Sequence, residues 1–472
     1  MLSKIFNFSF GRDRQTRKIT SSALILGIFY FISAVLGLFR DRLLAGRFGA
    51  GRELDIYFAA FRIPDFVYNI VILGGLIVAF LPLFAEYFSK DEKEAWKMTN
   101  YVLNAFLICL ISLSAVLFIF APLLINWLFP GFSAEEIKLA IPLVRLLFLS
   151  PILFGVSNLL SGILQYFRRF FVYGLTPILY NLGIIAGILF LSPRFGIFGV
   201  GMGVILGAFC HMAFQIPWVI KCGFSYKPLF SFDFKYPAIG RIFKLMIPRV
   251  FGVAAQQINL IVITSIASLV SVGAIAIFNF SNNLQSLPIG VIGTSFAIII
   301  FPALSKSWAS NQKEDFLKNF STALRQILVF VIPISLLIIL FREQIIGLIL
   351  KTGQFGLTDT KLTAVCLGIF SVSIFAQSLI PLLSRAFFSL QDTKTPTLAT
   401  FFGVTLNIIL ALSFVRLLAS QGPLVLSIKD FFGLAAVDNI SIIGLPLAFS
   451  ISAIFQFFLL HVLFRKKMKQ IN

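Results

Sequence analysis

About twelve stretches of this chain are apolar over the length of a membrane-crossing helix, and they decide its secondary structure before any other feature is read. They fall near 18–39, 54–86, 99–128, 138–166, 170–192, 196–220, 238–270, 272–304, 316–341, 361–389, 394–418 and 438–464. Inside a bilayer no water is present to satisfy a stray N–H or C=O, so only helices and closed barrels can cross it. Runs of this length are helical in scale, longer than the alternating segments of barrel strands. With 58% hydrophobic and 12% charged residues, the chain lies outside the soluble range. The expectation is an all-α polytopic membrane protein.

The charge is strongly basic, 39 Lys and Arg against 19 Asp and Glu, a net +20. The cations are scattered over short loops and form no basic domain. No nucleic acid is expected as a partner; anionic lipid headgroups are. With the N-terminus in the cytoplasm, that side collects Lys4, Arg12, Arg14, Arg17 and Lys18, then Lys90, Lys93 and Lys97, then Arg168 and Arg169. It continues with Lys221, Lys227, Lys235, Lys306, Lys313, Lys318 and Lys394, and ends on Arg465, Lys466, Lys467 and Lys469. The opposite side has Arg194, Lys351, Lys361 and Lys429, apart from the cluster Arg40–Arg52. Such a bias places both termini in the cytoplasm. The stretch from Gly422 to Asn439 reads as an amphipathic helix on the membrane surface. No secretory signal peptide is expected, since the first apolar run is long enough to span.

Enzymatic signatures are absent. There is no HExxH, Walker A or GxSxG pattern. Cys109, Cys210, Cys222 and Cys366 form no CxxC and read as packing residues, and His211 and His461 are isolated. No metal and no cofactor is expected. Asp392-Thr393-Lys394-Thr395 superficially resembles a phosphorylated-aspartate loop, but no nucleotide-binding domain accompanies it. Any transport would then draw on an ion gradient, the membrane potential or substrate flux.

The chain repeats itself. AFLPLFAEYFSK at 79–90 matches IIFPALSKSWAS at 299–310, pairing Pro82 with Pro302. WLFPG ending at Gly131 corresponds to LILKTG ending at Gly353, and Asn181 to Asn407. Each half holds six spans, so both insert the same way up, a parallel repeat. The expected organisation is an N-lobe at 1–221, a cytoplasmic linker at 222–238 and a C-lobe at 239–472. Two such lobes would enclose a central cavity and open it to either side by rocking.

Charge inside the spans marks the candidate site. Span one runs into Arg40-Asp41-Arg42, and span two carries Asp55, Arg62, Asp65 and Asn69 within about 80° on a helix. A charge at bilayer depth costs roughly 2.5–3.5 kcal/mol on the mildest scale. Span eight, the repeat partner of span two, carries Asn279, Asn282, Asn283 and Ser286 within about 100°. Span seven adds Arg249, Gln256 and Asn259. The bland alternative is interhelical hydrogen bonding, worth about 0.6 kcal/mol per contact. It suffices for a lone Asn or Gln, and less well for Arg40, Asp41 and Arg62 together. Guanidinium groups suit phosphate through their planar fork of donors. Arg40, Arg62 and Arg249 could hold a diphosphate, with Asp41 and Asp65 orienting them or taking part in ion coupling. Pro64, Pro82, Pro142, Pro248, Pro288 and Pro302 lie inside spans, as static kinks or as gating points.

The stretches VLGLFRDRLLAGRFGAG (35–51), DIYFAAFRIPD (55–65), AFLPLFAEY (79–87), FPGF (129–132), TPILYNLGII (176–185), LPIGVIGTSFAIIIFPALSKS (287–307) and RAFFSLQDTKTP (385–396) cover most of the chain in order. Through them it resembles the MurJ/MviN family, the lipid II flippases of the multidrug/oligosaccharidyl-lipid/polysaccharide exporter superfamily. The resemblance implies two lobes, alternating access, and export of an undecaprenyl-diphosphate-linked peptidoglycan precursor across the bacterial inner membrane. It implies a lipid-linked glycan and membrane lipids as partners, with a coupling cation or membrane potential as drive. Arg40 and Asp41 stand at the family's first-span Arg-Asp pair, and Arg62 at a basic position of span two. The chain departs from the family pattern at Ala34, Tyr68, Asn69 and Asn283, where arginines are common, and at Leu73, where an acid is. It has about twelve spans against the family's usual fourteen. Other readings are a flippase for another polyprenyl-linked glycan, a cation-coupled drug exporter, a non-transporting cell-wall scaffold and, least of all, a membrane glycosyltransferase.

The charge bias fixes a testable topology. In cysteine-accessibility mapping, Lys93→Cys and Lys313→Cys should label from the cytoplasm only. Labelling of either from outside would refute it.

Overall fold

The computed structural model describes residues 14–228, 236–420, 422–435 and 437–470. Lys4, Arg12, Lys235 and part of the expected linker lie outside them. Every described element is helical, and no strand occurs among the described residues.

All the expected apolar runs fall on helix. The first is α1 (Arg14–Phe48). The second is α2 (Arg52–Tyr68), a π-helical segment (Asn69–Leu76) and α3 (Ile77–Lys90). The third is α4 (Glu92–Leu128), and the fourth joins α5 (Ala134–Leu147) to α6 (Leu149–Tyr166). Then come α7 (Phe170–Ala186), a second π segment (Gly187–Leu191), α8 (Ser192–Ala213) and the short α9 (Ile216–Lys221). The seventh run is α10 (Pro237–Ser268). The eighth is α11 (Ala274–Pro288), a third π segment (Ile289–Thr294) and α12 (Ser295–Ala309). After α13 (Lys313–Leu340) and α14 (Arg342–Ile349), the pair α15 (Leu357–Val372) and α16 (Ile374–Ser389) makes one span bent by 44°. The chain closes with α17 (Lys394–Ala419), α18 (Pro423–Phe431) and α19 (Gly444–Gln470). Of the described residues in the stretch 422–439, expected as an amphipathic helix, only those of α18 are α-helical. By length and composition eight of the described helices can cross a membrane, nine with the bent pair; the 52-residue stretch Phe170–Lys221 holds two expected runs. This is a multi-pass membrane protein.

Packing divides the chain into two compact units. The first takes its described residues from within Met1–Leu43, Ile63–Leu123 and Lys138–Val253. Its core gathers Phe80, Phe84, Met98, Leu160 and Ile163, with Phe84 edge-on to Tyr166 at 5.0 Å. Gly183 of α7 and Gly187 at the start of the following π segment lie against Gly207 and Gly203 of α8, backbone on backbone, the close approach that small residues allow in membranes. The second unit draws on Leu44–Arg62, Leu124–Ile137 and Ala254–Asn472. Phe316, Phe320, Leu383, Phe387 and Leu460 form its core.

The repeat is written into the backbone. Two of the three described π segments start at Asn69 and Ile289, 220 residues apart, the spacing that separates Pro82 from Pro302. Within the second unit the repeat also produces two reciprocal contacts. Gly131 donates its N–H to Ser268 Oγ at 3.3 Å at the end of α10. Its repeat partner Gly353 sits against Gly46 near the end of α1, where Gln354 N–H donates to Gly46 O at 2.9 Å. Gly131 to Gly353 and Gly46 to Ser268 are both steps of 222 residues. Gly353 has φ 53°, a left-handed conformation, and a Cβ there would strike the Gly46 carbonyl.

The Asp392 loop has a structural explanation. Its carboxylate accepts the Thr395 N–H at 3.0 Å and hydroxyl at 2.8 Å, and pairs with Lys467 at 2.5 Å. It thereby caps α17 and ties it to α19. Burial alone would raise the Asp392 pKa, but the Lys467 and Thr395 donors outweigh it and hold the carboxyl below its usual range. Stability from a depressed carboxyl is present above its unfolded pKa and lost as pH falls through the folded value. Asp392→Ala should therefore cost about 1 kcal/mol near neutral pH, the scale of a lost cap. The gap to wild type in detergent melting curves should shrink below about pH 4. A gap that persists unchanged in acid would contradict this.

Candidate functional site

In the first unit the site begins at the end of α1. Arg40 donates from Nε (3.0 Å) and Nη2 (2.8 Å) to Asp41 Oδ1, and from Nη1 (3.2 Å) to Asn181 Oδ1 on α7. Asn181 in turn donates to Ser33 Oγ at 3.2 Å and to the Pro177 carbonyl at 3.2 Å. Asp41 is 4% exposed, while the Arg40 side chain keeps 23% of its surface open. The buried carboxylate and amide thus fix the guanidinium plane and leave part of it accessible. Charge-assisted bonds of this length are among the stronger polar contacts. Asp65 and Asn69 are half-buried, and Asn69 donates to the Asp65 carbonyl at 2.8 Å. Asp55, Arg62 and Asp65 share the α-helical α2, but Asn69 opens the π segment. The α-helical face expected for all four cannot be continued past Asn69.

In the second unit Arg62 donates from Nε to Thr264 Oγ1 at 2.7 Å and from Nη2 to Asn279 Oδ1 at 2.5 Å. Both of these acceptors are neutral, and they fix the direction of the guanidinium. Asn279 is locked in turn by donating to Ile275 O at 2.7 Å.

Asp55 has a different role from the one expected of it. It is 5% exposed and accepts the N–H groups of Gly273 (2.6 Å) and Ala276 (2.9 Å). Gly273 has φ 84° and cannot cap α11 with a side chain of its own. Asp55 therefore supplies the cap from 218 residues away and places negative charge at the positive end of the helix. Its carboxylate is committed to this contact.

The amides gather in one place. A cavity of ≈ 300 Å³ is lined by Gln256, Asn259, Asn282, Thr400, Asn407 and Gln456, among others. Asn407 Nδ2 donates to Asn259 Oδ1 at 2.8 Å, but the buried Asn407 Oδ1 has no hydrogen-bond partner among the described residues. The pairs Ser33–Asn181 and Asn259–Asn407 are each 148 residues apart, so the repeat preserves the geometry. In the first half the asparagine oxygen takes up Arg40; in the second no described residue donates to it. Asn282 Oδ1 accepts from Gln285 (2.9 Å), whose Oε1 accepts from Gln377 (3.0 Å). Asn283 is half-buried beside them on α11. The side chain of Arg249 lies outside what is described. The sequence reading missed Thr264, Gln285 and Gln377. A lone glutamine inside an apolar run was the only signal for the last two.

The family model described as lipid II flippase MurJ matches residues 44–472. The chain belongs to the MurJ family. The probable lipid II flippase MurJ of Vibrio cholerae serotype O1 is 30% identical over 409 residues, 84% of this chain and 77% of that one. The lipid II flippase MurJ of Burkholderia cenocepacia is 26% identical, covering 78% and 73%. A solved lipid II flippase MurJ in an inward closed conformation aligns with TM-score 0.76 at 28% identity, over 94% of this chain and 87% of that chain. An inward-facing MATE family transporter of the MOP superfamily aligns with TM-score 0.74 at 16% identity, over 95% and 98%; that likeness concerns the fold alone. Two stretches behind the MurJ resemblance now have physical roles. The Arg40-Asp41 pair is a preset guanidinium, and QDTKTP is a helix cap.

The capping role of Asp55 sets a prediction. Asp55→Ala leaves two buried N–H groups unpaired and should lower stability by about 1–3 kcal/mol. Asp55→Asn keeps an acceptor and should lose clearly less. Equal melting temperatures for the two variants in detergent would argue against the cap.

Proposed function

We propose that this MurJ-family chain is a lipid II flippase of the bacterial cytoplasmic membrane. It moves the undecaprenyl-diphosphate-linked precursor from the inner to the outer leaflet by alternating access. The observation that carries this reading is Arg40, a guanidinium preset by Asp41 and Asn181 and still partly open. A planar fork of donors binds phosphate oxygens in pairs, and its fixed orientation lowers the ordering cost of binding. Arg62 adds a second oriented cation. The amide-lined cavity suits sugar hydroxyls and peptide amides, and Asn407 Oδ1 offers an acceptor that its own helices leave unused.

In this reading the protein makes and breaks no bond, so it is a transporter and not an enzyme. The drive is then an ion gradient or the membrane potential, worth about 2.3 kcal/mol per charge per 100 mV. The halves 1–221 and 239–472, joined by the cytoplasmic linker 222–238, are the natural moving parts of such a cycle. Asn69 and Asn283, at positions where the family commonly has arginine, reduce cationic charge. They support a second reading, a flippase for a related polyprenyl-linked glycan with weaker diphosphate contacts.

Complementation of a flippase-depleted bacterium tests both, with lipid II exposure at the outer leaflet as readout. Wild type should restore growth and exposure. Arg40→Ala should reduce exposure at least about tenfold, and Arg40→Lys should retain an intermediate level because lysine lacks the fork. Good expression without growth or lipid II exposure would reject lipid II as substrate. Full activity of the Arg40→Ala, Arg62→Ala double variant would reject the cationic site.

A further inference from the structure

Helices α13 and α19 leave a groove of ≈ 480 Å³ whose lining divides sharply by chemistry. Leu324 and Phe464 are among its apolar residues, and Phe464 is nearly buried, packed on Phe320 with ring centroids 4.6 Å apart. Lys318, Arg325 and Arg465 also line it, and all three are exposed. Lys318 and Arg325 are seven residues apart on α13, hence on one face and roughly 10 Å apart along the axis. No acidic residue lines the groove, and none of the three cations forms an ion pair among the described residues. Elsewhere the chain does pair its cations, as in Lys90–Glu86, Lys97–Glu94, Arg241–Glu86 and, two residues from Arg465, Lys467–Asp392. His461 completes the lining, and its buried Nδ1 has no hydrogen-bond partner among the described residues.

Depth matters as much as charge. The unbroken uncharged stretch of α13 starts after Arg325 and runs to Leu340, and Arg465 closes the apolar run of α19. The three cations therefore sit where hydrocarbon gives way to headgroups, with an apolar channel beside them. Long basic side chains at that level extend toward phosphates. A volume of this size suits a small amphiphile, such as a phosphate headgroup with part of one acyl chain. It is far too small for a long polyprenyl chain.

We propose that this groove binds an anionic phospholipid of the leaflet next to the chain termini. Its phosphate lies among Lys318, Arg325 and Arg465, and an acyl chain lies along Leu324 and Phe464. This site is separate from the residues assigned to flipping, and its test is independent of that activity.

The test uses the full chain, purified in non-ionic detergent and stripped of lipid. Phosphatidylglycerol and phosphatidylcholine of identical chains are added, and bound lipid is counted by native mass spectrometry. Wild type should retain phosphatidylglycerol about tenfold over phosphatidylcholine. The triple variant Lys318→Gln, Arg325→Gln, Arg465→Gln should lose that preference, whereas Lys361→Gln, outside the groove, should keep it. Should the triple variant fold poorly, the single reversal Arg325→Glu serves, with at least about a fivefold loss expected and an unchanged lipid-free melting temperature. Equal retention of the two lipids by wild type, or undiminished phosphatidylglycerol binding by the charge variants, overturns the proposal. So does displacement of phosphatidylglycerol by undecaprenyl diphosphate at a lower concentration, which would assign the groove to a polyprenyl ligand.

Discussion

A peptide group in hydrocarbon must find its partner within the protein, and the rest of this structure is organised around that demand. It makes every span helical, and it makes each interruption conspicuous. Where the helices end or bend, the exposed N–H and C=O groups must be met from elsewhere in the chain. Asp55 meets two N–H groups at the start of α11, and Asp392 meets one at the start of α17. Gly46, Ser268 and Gln354 close the reciprocal contacts of the repeat. Acidic residues, scarce in this chain, are thus found as helix caps as well as in ion pairs.

The same scarcity explains how the arginines are held. Arg40 shares one carboxylate and one amide, and Arg62 rests on a hydroxyl and an amide. Neutral oxygens among their acceptors fix the direction of both guanidinium groups. The amide-lined cavity near Asn407 has the complementary character, polar without net charge. The two repeat halves therefore carry one geometry, an asparagine bridging two spans, put to two chemical ends.

Much of this was legible in the sequence, and what was not has a common cause. Apolar run length is a local property, so the spans were recoverable one by one, as was the repeat through Pro82 and Pro302. Arg40, Asp41 and Arg62 stood out because charge in an apolar run is costly wherever it lies. Asp55 stood out for the same reason, yet its partner is 218 residues distant, and no local pattern separates a cap from a ligand. Thr264, Gln285 and Gln377 were hidden because a single hydroxyl or amide in a span carries little energetic surprise. A wheel of constant pitch drawn through Asn69 cannot be carried beyond it, because the α-helix breaks into a π segment there.

That break has a geometric result of its own. A π turn takes in one residue more than an α turn, so each such segment advances the helix out of phase. Upstream of Asn69, span two presents Arg62 and Asp65; downstream, it presents Phe80 and Phe84 to an apolar core. A constant 100° rotation would project one pattern along the whole rod. The phase slip lets a single span face two unlike neighbourhoods in its two halves, and span eight repeats the device at Ile289–Thr294. Inserting or deleting one residue within either segment would therefore act like a change of gear, turning all that follows while leaving all that precedes in place.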